Sequence, residues 1–397
     1  MGKDVALMAG RSAVLFLLDD RYRTGSETPL MLQRVLGVPM LKWLTEALYR
    51  AEVNRFFLVC APALLETARS CFPAGAELTA ASDENPSDLL HVFLSTAPAG
   101  EESVLVVTGP VLYLPFHRGA SGARPANACM VGRLGLMAAL DETAPIGHYL
   151  KHAGDACTEA DGFYNLTAPE ELPDWQPLLN ADYLRVLIRG GVEIWDLHNT
   201  YVEPGIPVGI GTTLLPGTVL QGQTSVGYGC TIGPNTRLVD TKVGNHSTVE
   251  QSKAESARIG SHAQVGPFAH LRPGTVLEAR TKAGAFVELK QTSLGPGAQV
   301  AHLSYLGDAS VGEAVNVGCG AVTANFDRVD KHPTVIEREA FIGCNTTLVA
   351  PVTVGQGAYV GAGSVITEDI PAQALGIGRS RQSNRKEWAL RNKKSEE

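Results

Sequence analysis

From Val208 onward the apolar positions keep a beat of six. The chain divides into units such as VGIGTT, LLPGTV, LQGQTS, VGYGCT and IGPNTR. Later come IGSHAQ, VGPFAH and LRPGTV, then LGPGAQ and VAHLSY, then IGCNTT, LVAPVT, VGQGAY and VGAGSV. An aliphatic residue opens each unit, a small residue often follows, and Ser, Thr, Ala or Val often sits fifth. A period of six fits no α-helix, whose period is about 3.6. It fits a prism of parallel β-coils in which each hexapeptide makes one flat side and about eighteen residues close one turn. The opening aliphatics then stack along the axis as the core. Glycine is the residue expected at the sharp corners, because it tolerates positive φ. Residues 208 to about 370 leave room for roughly nine coils at that period.

The first 175 residues follow a different pattern. AVLFLL reads as a buried strand from Ala13 to Leu18, and VNRFFLVCA and ESVLVVTG as two more. PMLKWLTEALYRA, Pro39 to Ala51, has the spacing of an amphipathic helix with proline near its start. Strands alternating with helices predict an α/β domain on a largely parallel sheet. From Val111 to Gly162 the signal fades into Gly, Ala, Pro and Asp. DWQPLLNADYLRVLIRGG, Asp174 to Gly191, predicts a helix ended by glycine that connects the halves. The expected organisation is an α/β domain at 1–173, a connecting helix and linker at 174–200, the coiled domain at 201–378 and a basic tail at 379–397.

Composition narrows the function classes. A net charge of -8 argues against a general nucleic-acid binder. The seven cysteines are scattered, with no CxxC pair, as in a cytoplasmic protein with reduced thiols. The apolar run near the N-terminus is too short for a membrane span and precedes no A-x-A cleavage site.

The hexapeptide 300–305 carries side chains that the beat does not require. Val300 opens the unit and points inward, so His302 in third place and Tyr305 in sixth point outward. Polar groups gather in neighbouring coils: Arg272 in LRPG, Lys290 in VELK, Asn316 in VNVG, and Asn325 and Lys331 in the interrupting segment Thr323–Thr334. Arginine as a planar fork and lysine as a point charge suit a phosphate. A histidine that titrates near neutrality suits a general base. These residues point to a hexapeptide acyltransferase with a phosphorylated substrate.

The hexapeptide pattern resembles the left-handed β-helix of acyltransferases. The strings GPFAHLRPG, FVELK, AHLSYLGDA, VNVGCGAVTANFD and LVAPVTVG are far more specific. They resemble the acetyltransferase half of the bifunctional bacterial enzyme that joins N-acetylglucosamine-1-phosphate uridyltransferase to glucosamine-1-phosphate N-acetyltransferase. The resemblance implies glucosamine-1-phosphate as acceptor, acetyl-CoA as donor, a homotrimer, and a place in UDP-N-acetylglucosamine synthesis for the cell wall. It makes His302 the general base. Arg272 and Lys290 become holders of the sugar phosphate, and Tyr305, Asn316 and Lys331 further sugar-phosphate contacts. Asn325 and Phe326 match an Asn-Tyr pair near the reacting groups, with phenylalanine removing one hydroxyl. Cys319, Cys344 and Ala362 match the acetyl-CoA wall, and Arg379 a basic residue that binds coenzyme A.

TPLMLQRVLGVPMLKWLTEAL resembles the stretch that follows the nucleotide loop of the family's uridyltransferase domain, and there the chain departs from the pattern. LFLLDDRYRTGSE lacks the loop's glycines and places Asp19 and Asp20 where phosphates would lie. Leu30 replaces a lysine, and Pro110 stands in place of a metal-binding aspartate. This predicts a degenerate nucleotidyltransferase-like domain that holds no Mg2+ and has lost uridylyl transfer. The alternatives are a bifunctional enzyme that retains that activity, an acetyltransferase for another amino sugar, and a non-catalytic scaffold or sensor. A γ-carbonic-anhydrase-like metal enzyme is disfavoured, because His246, His262, His270 and His302 do not sit in that family's string.

Overall fold

The structure is a computed structural model that describes residues 12–17, 19–84, 86–116, 127–140, 158–159 and 162–389. Two compact units divide the chain. One comprises Met1–Val208 with Pro216–Gly222, and the other Gly209–Leu215 with Gln223–Glu397.

In the first unit the predicted strands lie side by side. The sheet runs Glu77–Ser82, Arg55–Cys60, Ser12–Leu17, Ser103–Val107, Ala128–Gly132 and Thr158–Glu159. Its first four strands are parallel and its last two pairings antiparallel, so it is an α/β unit on a mixed sheet. The first strand covers Ser12–Leu17 rather than Ala13–Leu18, and Leu18 lies outside the described residues. Much of the segment with the weak signal, 117–126 and 141–157, also lies outside them. Val14, Phe57, Leu90, Phe93, Leu94 and Val106 form the core on one face. At the start of its strand, Arg55 is buried and donates to Ser12 Oγ at 3.2 Å and to the Phe93 carbonyl at 3.3 Å. Glu101 accepts from the Ser12 amide at 2.7 Å. A charge this deep persists because its hydrogen-bond partners surround it.

The predicted amphipathic helix spans Met40–Arg50, with Met40, Leu41, Leu44 and Leu48 on its buried face. The helix expected at Asp174–Gly191 spans Leu172–Arg189 and contains Pro177. It starts two residues earlier than expected because Pro173 is tolerated in the first turn, where its missing N–H costs no helical bond. Asn180 on this helix donates to the Thr200 carbonyl at 2.8 Å, and Asp182 accepts from the Phe116 amide at 2.8 Å.

The second unit is a left-handed parallel β-helix of hexapeptide repeats. Strands stack into three parallel sheets, one per side. One side runs from Thr213–Leu214 through Gln299–His302 and Asn316–Val317 to Leu375–Gly376. A second contains His270–Leu271, Glu288–Lys290, Tyr305–Gly307 and Val322–Ala324. The third runs from Ser225–Val226 to Val352–Val354. The hexapeptide openers fill the axis: Leu271, Leu294 and Val300 are wholly buried.

Two features differ from the sequence expectation. The residue two places before the next opener also points inward, and where it is Thr or Ser its hydroxyl can bond to a carbonyl rather than to solvent. Thr275 Oγ1 reaches the Leu289 carbonyl at 3.1 Å, Thr292 Oγ1 the Leu306 carbonyl at 3.0 Å, and Ser247 Oγ the Gly260 carbonyl at 2.7 Å. Each tie removes the penalty of a buried hydroxyl. The corners, moreover, are not reserved for glycine. His262, Phe268, Arg280, Phe286, Leu303 and Asn345 all adopt positive φ. The left-handed conformation costs a side chain about 1–2 kcal/mol. Here each corner amide bonds to the coil beneath, as Phe268 N–H does to the Gln251 carbonyl at 2.9 Å and Leu303 N–H to the Ala285 carbonyl at 2.9 Å. Glycine is needed for a second reason, the close approach of coils: a Cβ on Gly260 would stand 2.6 Å from the Glu278 carbonyl carbon.

Burial raises the Asp182 carboxyl to about 6, the Phe116 amide and two arginines offsetting this only in part. Its folded pKa therefore exceeds its unfolded one, so the folded state binds the proton more tightly. That stabilises the fold below about pH 4 and is lost as pH rises to about 6. Asp182→Asn keeps an oxygen for the Phe116 amide and is expected to stabilise the protein at pH 8 by about 1–2 kcal/mol. Urea unfolding across pH 4–8 checks this. An unstabilised variant at pH 8, or an unchanged pH dependence, contradicts it.

Candidate active site

The stacking of coils converts residues far apart in sequence into columns. The register pairs Ala285 with His302 and Val300 with Val317, and Val317 in turn with Ile342, and Ile342 with Val360. Two residues further along each strand, His302, Cys319, Cys344 and Ala362 occupy equivalent places on successive coils, just before a corner. Corner amides fix the alignment: Asn345 N–H donates to the Cys319 carbonyl at 2.7 Å, and Gly363 N–H to the Cys344 carbonyl at 2.8 Å. His302, Cys344 and Ala362 are exposed, and Cys319 is half-buried. At the end of this column the Arg379 stem approaches the corner, since a Cβ on Gly363 would stand 3.7 Å from Arg379 Cδ. Asn316 is exposed on the same side of the prism, between Gln299 and Phe341 in the ladder.

Around the corner at Leu303 lies the second group. Glu288 pairs in register with Tyr305, and Lys290 with Gly307. Arg272 precedes Lys290 by one coil, its amide bonded to the Leu289 carbonyl at 2.8 Å. The Arg272 guanidinium meets Glu288 at 3.0 Å. The Tyr305 hydroxyl and the Asn325 amide nitrogen both lie over Gly307, close enough that a side chain there would strike them. Asn325 is nearly buried and donates to the Asp308 carboxylate.

The interrupting segment is a tight return. Phe326 bridges antiparallel to Lys331. Asp327 accepts from the amides of Val329 at 2.8 Å and Asp330 at 2.7 Å. Its carboxylate also meets His332 Nε2 at 2.7 Å. That histidine, with the two amides, holds Asp327 well below the usual carboxylate range. The turn brings Lys331 back against Lys290. The Lys331 ammonium depresses the Lys290 pKa, Arg272 acts in the same direction, and Asp308 opposes them. Crowding of three cations costs energy that a multiply charged anion among them would relieve.

Arg272, Lys290, Lys331, Tyr305 and Asn325 therefore form one cluster. His302, Cys319, Cys344, Ala362 and Arg379 follow one column, with Asn316 beside it. Phe326 is exposed at the base of the return. Three residues outside the sequence-based set complete the cluster. Asp308 anchors Asn325, Glu288 orients Arg272, and Gly307 leaves room over the sheet. Asp308 had a signal in the sequence, an acidic residue one step past a strand glycine in YLGDA, whereas Glu288 and Gly307 gain their roles only from the register.

Residues 333–368 match the model of the bacterial transferase hexapeptide family (six repeats). The bifunctional protein GlmU of an Exiguobacterium species is 50% identical to this chain over 205 residues, which are 52% of this chain and 46% of that protein. GlmU of a Geobacillus species is 45% identical over 220 residues, 55% of this chain and 48% of its own. GlmU of Thermotoga petrophila is 47% identical over 210 residues, 53% and 47% of the two chains. The chain thus spans about half the length of the curated relatives it matches, and over that span it is similar to the bifunctional GlmU proteins.

Proposed function

We propose that the coiled unit is a glucosamine-1-phosphate N-acetyltransferase that uses acetyl-CoA and serves UDP-N-acetylglucosamine synthesis in the cytoplasm. One observation carries this reading: the hexapeptide 300–305 joins the two groups. His302 belongs to the corner column, and three residues later Tyr305 belongs to the cation cluster. A sugar phosphate seated among Arg272, Lys290 and Lys331 would lie one corner away from a donor laid along Cys319, Cys344 and Ala362. The similarity to GlmU proteins supports the choice of both substrates.

In this reading His302 takes a proton from the 2-amino group as that nitrogen attacks the thioester carbonyl. Coenzyme A leaves as the thiolate and is protonated. The amine attacks only when neutral, and a base within hydrogen-bond reach supplies that form at pH 7. The cations hold the phosphate, and Asp308 keeps Asn325 beside Tyr305. Arg379 supplies positive charge at the coenzyme A end. Hexapeptide-repeat relatives and the flat prism faces favour a homotrimer in which neighbouring subunits complete each site.

The first unit is proposed to have lost uridylyl transfer. Asp20 Oδ1 accepts from the Leu30 amide at 2.9 Å, and Asp19 is engaged by Arg21 at 2.5 Å. Leu30 is wholly buried and offers no cation. Pro110 has no side-chain ligand for a metal. These residues do not fit Mg2+ or nucleotide phosphates, so no phosphoryl-transfer step is assigned to this unit.

His302→Ala is expected to lower kcat for acetylation by roughly 10²–10⁴-fold while sugar-phosphate binding persists. Arg272→Ala is expected to act mainly on KM for the sugar phosphate. Steady-state kinetics separates the two, and near-normal turnover in His302→Ala removes the base assignment. Light scattering should report a trimer mass, and an active monomer at assay concentration refutes it. Pyrophosphate release from UTP, N-acetylglucosamine-1-phosphate and Mg2+ should stay at background in a preparation that acetylates. Turnover near the acetylation rate would restore the bifunctional reading.

A further inference from the structure

Two free thiols, Cys319 and Cys344, occupy equivalent places on successive coils. Their strands pair Val317 with Ile342, and two residues on, each cysteine occupies the last place before a left-handed corner. Those corners, at Gly320 and Asn345, have φ of 75° and 54°, so the two turns share one shape. The Gly318 amide bonds to the Ile342 carbonyl at 2.8 Å and the Asn345 amide to the Cys319 carbonyl at 2.7 Å, which brackets the cysteines in register. Register neighbours on parallel strands stand ~4.8 Å apart at Cα, inside the ~4.4–6.8 Å range that a disulfide spans. To reach the usual Cβ separation of ~3.8 Å the pair has to close by about 1 Å. A bond made at that cost in strain is readily reduced.

We propose that Cys319 and Cys344 form a reversible dithiol–disulfide site that low-molecular-weight disulfides oxidise. Cys344 is exposed and Cys319 half-buried, so Cys344 reacts first. Its thiolate attacks one sulfur of the small disulfide and expels a thiolate, leaving a mixed disulfide on the protein. The Cys319 thiolate then attacks the Cys344 sulfur and expels the second. Two protein S–H bonds are replaced by one S–S bond, the small disulfide is reduced to two thiols, and the two protons end on those thiols.

The site stands one coil from His302 in the corner column. Its consequence for catalysis rests on the proposed donor wall, whereas the pairing of the thiols does not. Closing the bond draws the two turns together on the surface along which acetyl-CoA would lie. Displacements of about 1 Å at a reacting site cost up to roughly 10²-fold in rate, so the oxidised form is expected to acetylate at least ~10-fold more slowly.

The test uses the full chain and glutathione disulfide as the probe. Non-reducing peptide mapping should recover Cys319 and Cys344 in one linked peptide after oxidation. Dithiothreitol should release the link and restore the acetylation rate. Cys344→Ser should form no such link, and its rate, whatever its level, should not respond to the probe. Absence of the linked peptide in the wild-type protein overturns the site, and a linked protein with an unchanged rate overturns its role as a brake. A reduced protein that never acetylates counts against the acetyltransferase assignment alone, because the linked peptide is read without turnover.

Discussion

At many corners of the coiled unit, among the described residues, an amide bonds to the coil beneath it, and that bond helps decide which side chains meet. The His262 amide reaches the Asn245 carbonyl, that of Leu303 reaches Ala285, and that of Asn345 reaches Cys319, each at 2.7–2.9 Å. The bond compensates the left-handed backbone of a bulky residue, so corners accept His, Phe, Arg and Leu as well as glycine. It also forbids slippage. A shift of one residue would reverse every side chain and turn the openers out of the core.

The candidate site follows from that fixed register. With about eighteen residues to a coil, a residue chosen at one corner acquires neighbours that are remote in sequence but fixed in space. His302, Cys319, Cys344 and Ala362 form one such column, and Arg272 and Lys290 begin another. The interruption after Ala324 lengthens one coil without breaking the stack, because Thr334–Ile336 resumes pairing with Ala309–Val311. The extra residues return Lys331 to Lys290 and place Asn325 over Gly307. A rigid solenoid thus positions a loop residue almost as firmly as a strand residue.

The openers were legible in the sequence because burial leaves a periodic apolar mark, and Val300 inward with His302 outward followed from that period alone. The strands Arg55–Cys60 and Ser103–Val107 and the helix Met40–Arg50 were legible for the same reason. Inward threonines were not, since Thr275 or Thr292 looks polar until a carbonyl one coil away accepts its hydroxyl. Nor were corners such as Phe268 and Phe286, whose strain is offset by bonds that only the stack supplies. Arg272, Lys290 and His302 could be picked out by their chemistry, but their division between two sides of Leu303 needed the register. Glu288 and Asp308 were missed as site residues because their part is to hold other side chains, and Arg272 and Asn325 become their partners only after folding.

In the proposed reaction one hexapeptide, 300–305, joins a base to a phosphate cluster so that an amine and a thioester meet at Leu303. The most direct measurement follows free coenzyme A thiol when the purified chain is given acetyl-CoA and glucosamine-1-phosphate. Thiol release that requires both substrates, and that stops when glucose-1-phosphate replaces the amino sugar, is the predicted result. Thiol release that is indifferent to the sugar phosphate, or none with the folded protein, would contradict it.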